Sequence, residues 1–131
     1  MAEPIYGPVL EGTVQSSPAQ VRLDAFGRLG IELEIALFLA EDLPKASTPY
    51  TAQSVAPAVA AAATAFELID DRGADYARLD ARQLIVDGSW QAGVLTGRKV
   101  PLSARPDLEH GTGILLSDGR EIAAAPANAG M

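Results

Sequence analysis

The sequence predicts an α+β domain built on a mixed β-sheet, and three observations support this fold class. Aliphatic residues alternate through residues 30–40, which is the period of a β-strand. The pair Asp118-Gly119 stands between two short apolar segments and is typical of a β-hairpin turn. An alanine-rich segment at residues 51–62 favours a helix between strands. Strands interleaved with few helices are typical of the α+β class.

The expected elements follow in chain order. A short strand at residues 8–10 and an alternating piece at residues 21–28 come before the main strand. The helix over residues 51–62 is limited by Pro57, which removes a backbone donor. The later elements are a strand at 64–69, a helical or irregular piece at 74–83, an apolar lead-in at 84–86, a strand at 92–96, and hairpin strands at 113–117 and 120–123.

Length and composition are those of one globular domain. The chain has 131 residues, of which 48% are hydrophobic, so it can bury a core. Aromatic residues make up only 5%, which predicts a lightly packed core or one completed by another chain. We expect one partial domain over residues 1–131, with an irregular entry segment at 1–20 and a flexible tail at 124–131.

Charge and cysteine content exclude several classes of function. The net charge of −7 and the scattered cations argue against nucleic acid and against anionic membrane surfaces as partners. The absence of cysteine excludes disulfides, thiolate zinc sites and a cysteine nucleophile. Residues 1–4 lack a signal-peptide pattern, and Pro49 and Pro57 interrupt the longest nearly uncharged stretch, so we expect a cytoplasmic protein without a membrane span.

Three glutamates in apolar surroundings are the candidate chemistry. Glu32 and Glu34 lie two positions apart in the predicted strand at 30–40, so their side chains share a face. Glu67 stands in the next predicted strand. Three convergent carboxylates suit a hard cation such as Mg²⁺ or Mn²⁺. The alternative is that these acids line the wet face of an antiparallel strand.

Several segments together resemble the 2-keto-4-pentenoate hydratase branch of the fumarylacetoacetate hydrolase family. The matching segments are residues 6–7 (YG), 30–36 (GIELEIA), 42–44 (DLP), 66–72 (FELIDDR) and 85–93 (IVDGSWQAG). The resemblance extends from about Tyr6 to Ala123. It implies the mixed β-sheet roll of that family's C-terminal domain, in an incomplete form, because the chain corresponds to the family's middle portion.

The resemblance also implies a metal-dependent lyase that acts on 2-oxo acids of aromatic catabolism. Glu32, Glu34 and Glu67 would bind Mg²⁺ or Mn²⁺, and the ion would polarise the substrate carbonyl and stabilise an enolate. Asp87 takes an active-site, catalytic role in this interpretation, although it could instead cap the following turn. Arg72 would bind a substrate carboxylate, or else form only local ion pairs with Asp70 and Asp71.

Three functions therefore stay open. Hydration of a 2-hydroxy-dienoate comes first, and decarboxylation of a 2-oxo diacid on the same metal is the alternative. The third is a catalytically inactive subunit that associates with itself or with a related chain. The lone histidine, His110, is expected to be a solvated loop residue, and neither Ser89 nor Ser103 has the Gly-x-Ser-x-Gly context of a serine hydrolase.

Overall fold

The computed structural model describes residues 6–129, and the contacts divide the chain into two compact units. The first unit comprises Met1–Glu34 and Ala65–Gly97, and the second comprises Ile35–Thr64 and Arg98–Met131. The start of the predicted entry segment (residues 1–5) and the end of the predicted tail (residues 130–131) lie outside the described residues. That residues 1–131 form one domain stays a prediction.

Strands dominate the described part of the chain. In chain order they are β1 (Val14–Ser16), β2 (Leu29–Leu39), β3 (Val59–Asp70), β4 (Gln91–Thr96), β5 (Val100–Pro101), β6 (Thr112–Ser117) and β7 (Arg120–Pro126). The α-helices between residues 6 and 129 are short: α1 (Ala52–Val55) and α2 (Ala81–Val86). Single 3₁₀ turns occupy Glu11–Thr13, Leu23–Ala25, Ala56–Ala58, Gly88–Trp90 and Leu102–Ala104.

The first unit contains β1, β4 and parts of β3 and β2, in a mixed sheet with the strand order β1-β4-β3-β2. The strand β1 runs parallel to β4, with Val14 opposite Val94, while β3 runs antiparallel to β4. A β-bulge interrupts the β3–β4 register between Leu68 and Ile69. Among the described residues of this unit, the buried apolar core consists of Ala65 and Leu68. A core this small agrees with the light packing that the low aromatic content predicts.

The second unit contains the alanine-rich part of β3 and a separate hairpin. Ala58, Ala62 and Ala63 are buried, and Ala62 pairs with Val100 of β5. The strands β6 and β7 are joined by Asp118 and Gly119, whose φ angles of 49° and 75° are both positive. Two successive positive φ angles match the right-handed twist of a two-residue hairpin, so this predicted turn is confirmed.

The predicted helix at residues 51–62 is wrong over most of its length. Helix α1 ends at Val55, a 3₁₀ turn follows, and β3 begins at Val59 instead of residue 64. Thr51 caps α1, since its hydroxyl accepts a hydrogen bond from the Ser54 N–H at 3.2 Å. Pro57 stops the helix, and burial of the alanines in a sheet outweighs their intrinsic helix propensity.

Other element boundaries also differ from the sequence prediction. No strand forms at residues 8–10, and the first described strand is β1. Residues 84–86 belong to α2, which starts later than the helical piece predicted at 74–83. Asp80 explains this start, because its carboxylate accepts the Gln83 N–H at 2.9 Å in a capping box. The strand β7 continues to Pro126, into the predicted tail. Between residues 6 and 129, no helix is long and apolar enough to cross a membrane.

Candidate metal centre

The three predicted glutamates come together in the first unit. Glu32, Glu34 and Glu67 each offer a carboxylate oxygen, and these oxygens lie within 4.8 Å of one another. Glu32 and Glu34 are exposed, whereas Glu67 is half-buried. Ligand atoms at this spacing can all reach a single ion.

Strand geometry explains why these carboxylates converge. Glu32 and Glu34 lie at alternate positions of β2, so they project from one face of the sheet. The strand β3, which carries Glu67, is the neighbour of β2 in the sheet. Ile69 lies two residues after Glu67, and its side chain packs where a Cβ on Gly30 would stand. This contact places the even positions of β2 and the odd positions of β3 on the same face.

Burial and the neighbouring acids perturb Glu67 electrostatically. The pKa of Glu67 is raised above its ordinary value, first by burial and then by the charges of Glu32 and Glu34. Both causes disfavour the ionised carboxylate, and a bound cation would offset both. Three carboxylate donors also suit the preference of Mg²⁺ and Mn²⁺ for oxygen ligands. The residues present therefore fit a hard divalent ion.

Asp70 connects the strands that carry the acids, a role that no local pattern in the sequence predicts. Its carboxylate accepts the backbone N–H groups of Gly27 and Arg28 at 2.9 Å, and of Arg72 at 3.1 Å. These hydrogen bonds lower the pKa of Asp70. Because Gly27 and Arg28 come directly before β2, Asp70 ties the beginning of β2 to the end of β3.

The predicted catalytic residue and the predicted substrate-binding residue contact each other. The Arg72 guanidinium lies 2.5 Å from the Asp87 carboxylate, and both side chains are partly exposed. Asp87 makes no capping hydrogen bond through its side chain to the turn that follows it. The sequence predicted local ion pairs of Arg72 as the alternative to substrate binding. The structure instead pairs Arg72 with Asp87, 15 residues away.

Arg72 and Asp87 line a cavity of about 690 Å³ in the first unit. Trp90, Arg78 and Arg82 also line it, whereas the glutamates of the metal centre do not. The structure therefore brings Arg72 and Asp87 together, but it does not place them in the same cavity lining as the three acids.

A second polar cluster lies beside Asp71, which is 5% exposed. Its carboxylate pairs with the Arg28 guanidinium and accepts the Tyr76 hydroxyl at 2.6 Å. The Tyr76 ring in turn packs edge-on against Trp90, with 5.4 Å between ring centroids. The sequence predicts for Asp71 only a local ion pair with Arg72, since Arg28 is too far away along the chain for a local pattern to indicate it as the partner.

His110 is an exposed loop residue, as predicted. Its ring nitrogen Nδ1 lies 3.3 Å from the Asp107 carboxylate, three residues earlier in the same loop. Its backbone N–H also donates to this carboxylate, at 2.8 Å. The histidine therefore belongs to a local turn in the second unit and not to the acidic centre.

Comparison with known proteins identifies the fold. No protein-family model matches the chain, and no curated protein matches it. Two solved structures of 4-oxalocrotonate decarboxylase from Pseudomonas putida G7 are similar to it, each with 19% sequence identity. One is complexed with magnesium and adipate, has a TM-score of 0.70, and matches 88% of this chain and 41% of its own. The other is complexed with calcium and acetate, has a TM-score of 0.75, and matches 91% of this chain and 43% of its own.

The chain thus spans less than half the length of these structures and shares their fold over about nine-tenths of its own length. This likeness confirms the predicted fold class, an α+β structure with the mixed sheet expected for the fumarylacetoacetate hydrolase roll.

Proposed function

We propose that this chain carries the divalent-metal centre of a lyase that acts on 2-oxo acids. The observation that supports this most is the convergence of Glu32, Glu34 and Glu67 on one face of neighbouring strands. The proposed ion is Mg²⁺ or Mn²⁺. The likeness of the fold to structures complexed with magnesium or calcium supports the same class of ion.

The proposed roles follow from the chemistry of each group. When bound, the ion would act as a Lewis acid that polarises a 2-oxo carbonyl and favours the enolate. The ion would be held by three carboxylates, from Glu32, Glu34 and Glu67. These would fill three of the ion's coordination positions and leave the others for a chelating substrate. Arg72 is proposed to bind a substrate carboxylate and Asp87 to act as the catalytic acid–base group. Because these two are paired, a substrate carboxylate would compete with Asp87 for the guanidinium.

Two reactions fit this centre. The sequence resemblance supports hydration of a 2-hydroxy-dienoate to a 4-hydroxy-2-oxo acid, and we propose this reaction first. The names of the similar structures support the second, decarboxylation of a 2-oxo diacid. Both reactions would need the stabilisation of enolate charge that the ion would supply, so Glu32, Glu34 and Glu67 would hold the ion for either one. Parallel assays of water addition and CO₂ release on both substrate types would separate them.

Assembly with further chains is part of the proposal. Large aliphatic side chains are exposed in each unit, including Ile31 at 52% in the first unit and Leu37 at 55% and Ile122 at 61% in the second. Apolar exposure of this kind is typical of surfaces that another chain covers. We therefore propose a homo-oligomer or association with a related subunit. A catalytically inactive assembly subunit is the competing interpretation, and it predicts association without metal-dependent turnover.

The decisive experiment is a thermal melt with and without excess Mn²⁺, run on the parent chain and on Glu34→Gln. A ligand that binds only the folded state stabilises it by roughly 2.7 kcal/mol at one hundred times its dissociation constant. We expect Mn²⁺ to raise the melting temperature of the parent but not of Glu34→Gln. The matched control is Glu11→Gln, which changes an exposed acid of the same unit outside the triad. A parent melting temperature that does not respond to Mn²⁺ would refute the metal centre.

A further inference from the structure

One side-chain donor in the first unit lacks a partner. The Nε2 atom of Gln91 is buried and makes no hydrogen bond, and it is the sole buried side-chain nitrogen or oxygen with this property among residues 6–129. An amide nitrogen carries two N–H donors, and burying them unsatisfied costs free energy. Such a group in a folded protein requires an explanation, of which a missing ligand is one.

The backbone around Gln91 is also irregular, and this irregularity is independent of the missing partner. The three residues before it, Gly88, Ser89 and Trp90, have φ angles of 61°, 54° and 65°. Left-handed conformations are costly for residues with a Cβ, and they concentrate at ligand-binding and active sites. The register shift between Leu68 and Ile69 leaves Ala92, the residue after Gln91, as the extra residue of a β-bulge, and bulges often re-aim a side chain beside a functional site.

The strand register places Gln91 on the face of the metal centre. Gln91 is the register partner of Ile69 across the bulge. Ile69 shares its face with Glu67, two residues earlier, and it covers Gly30, two residues before Glu32. Paired residues on neighbouring strands share a face, so Gln91 is the diagonal neighbour of Glu67, at a typical separation of about 7–8 Å. A glutamine side chain and a small ligand can span this separation together.

We propose that Gln91 positions the substrate of the metal centre by donating its Nε2 hydrogens to a substrate oxygen. This inference rests on the proposed function and adds the group that selects the ligand. The donor is neutral and lies on the same sheet face as the three acids, so it attracts a carboxylate or carbonyl oxygen without competing for the cation. The ligand class is accordingly a small 2-oxo acid or dicarboxylate that also chelates the ion. Gln91 is a positioning residue and takes no part in proton transfer.

The test measures two affinities separately, with Mn²⁺ and oxalate as probes. Oxalate is a chelating dianion that resembles the head of a 2-oxo acid. Titration calorimetry would give the Mn²⁺ affinity, and then the oxalate affinity of the Mn²⁺-loaded protein, for the parent, Gln91→Leu and Gln91→Glu. Gln15→Leu is the matched control, because Gln15 is an exposed glutamine on β1 of the same unit.

We expect Gln91→Leu to bind Mn²⁺ as the parent does and to bind oxalate roughly 3- to 10-fold more weakly, the usual effect of one hydrogen bond. Gln91→Glu should bind oxalate more weakly still, since a carboxylate repels the dianion, while Gln15→Leu should leave both affinities unchanged. If Gln91→Leu does not melt cooperatively, the oxalate affinity of Gln91→Glu, which is nearly isosteric with the parent, becomes the deciding measurement.

Each failure has a different meaning. A parent that binds no Mn²⁺ overturns both the proposed function and the role of Gln91. A parent that binds Mn²⁺ and oxalate, with oxalate affinities unchanged in both Gln91 variants, overturns only the role of Gln91 and indicates that its amide binds a structural water. A loss of Mn²⁺ affinity in these variants also overturns it, because Gln91 would then support the acids instead of the substrate.

Discussion

Ile69 occupies the space where Gly30 would carry a side chain. A Cβ built on Gly30 would lie 2.6 Å from Cγ1 and 2.9 Å from Cδ1 of Ile69, which is closer than real Cβ contacts. The glycine thus allows β2 and β3 to pack closely just before Glu32. We expect the distance between the acids of the metal centre to depend on this close packing.

We therefore expect Gly30→Ala to lower the free energy of unfolding by roughly 1–3 kcal/mol, the usual cost of overpacking. Ile69 or the strand must move to admit the methyl group, and this movement should also weaken Mn²⁺ binding. Urea denaturation and Mn²⁺ titration would measure the two effects. The control is the same substitution in an Ile69→Ala background, where the space is free. An equal cost in both backgrounds would contradict the steric explanation.

Asp70→Asn should destabilise the protein in a pH-dependent way. The backbone N–H groups of Gly27, Arg28 and Arg72 hold the pKa of Asp70 below 3.8, its ordinary value. A carboxyl group whose pKa is lower in the folded state stabilises the fold above its unfolded pKa, and this stabilisation disappears as the pH falls through the folded pKa. The parent should therefore melt at a higher temperature than Asp70→Asn near pH 7, and the gap should close below pH 3.8.

Melting temperatures measured across the acid range would test this prediction. Asp42→Asn, which changes an exposed aspartate, should run parallel to the parent at every pH. A gap between Asp70→Asn and the parent that stays constant down to the lowest pH would show that shape, and not charge, is what matters at this position.

Tyr76→Phe should remove a hydrogen bond on which a buried charge depends. The Tyr76 hydroxyl donates to Asp71 at 2.6 Å and accepts from Arg28 at 3.0 Å. Asp71 is 5% exposed, and the variant would leave its carboxylate with one hydrogen-bond donor fewer. This loss should lower the free energy of unfolding by roughly 1–3 kcal/mol. Tyr6→Phe is the control, because the Tyr6 side chain is 89% exposed. Urea denaturation that finds the two variants equally stable would contradict this role of the hydroxyl.

The sequence predicts the structure correctly where the pattern lies within a single strand. Alternation alone predicted β2 within one residue at each end, and it placed Glu32 and Glu34 on one face. The apolar setting of Glu67 in the next predicted strand then added it as the third acid. These predictions succeeded because the period of a strand is local and the matching segments keep their order along the chain.

Long-range partners could not be predicted in this way. The sequence predicts for Asp70 only a local ion pair with Arg72, yet its carboxylate accepts hydrogen bonds from residues 42 and 43 positions away. The alanine run was assigned to a helix because local propensity cannot register that Ala62 and Ala63 would be buried in a sheet. The unpartnered amide of Gln91 is likewise invisible in the sequence, since a missing contact is a property of the folded chain.

The last prediction concerns the cost of bringing three carboxylates together. Burial, Glu32 and Glu34 raise the pKa of Glu67 above 4.5 in the folded chain, so the folded state binds this proton more tightly than the unfolded state does. The stability of the metal-free protein should consequently fall as the pH rises from 4.5 through the folded pKa of Glu67. At neutral pH the ionised Glu67 carboxylate then makes the metal-free fold less stable than it is when this group is protonated.

Glu67→Gln should therefore raise the melting temperature of the metal-free protein near pH 7. Relief of like-charge repulsion between neighbouring strands contributes roughly 0.2–1 kcal/mol, which corresponds to a few degrees for a chain of this size. The same variant should lose the stabilisation by Mn²⁺, so the order of stability between parent and variant should reverse when excess Mn²⁺ is added. Melts with a chelator and with Mn²⁺, side by side, would measure both. A variant less stable than the parent under both conditions would mean that Glu67 has a packing role, and a variant more stable under both would mean that the parent binds no ion. Only the reversal supports a site in which the cation offsets the repulsion between the three acids.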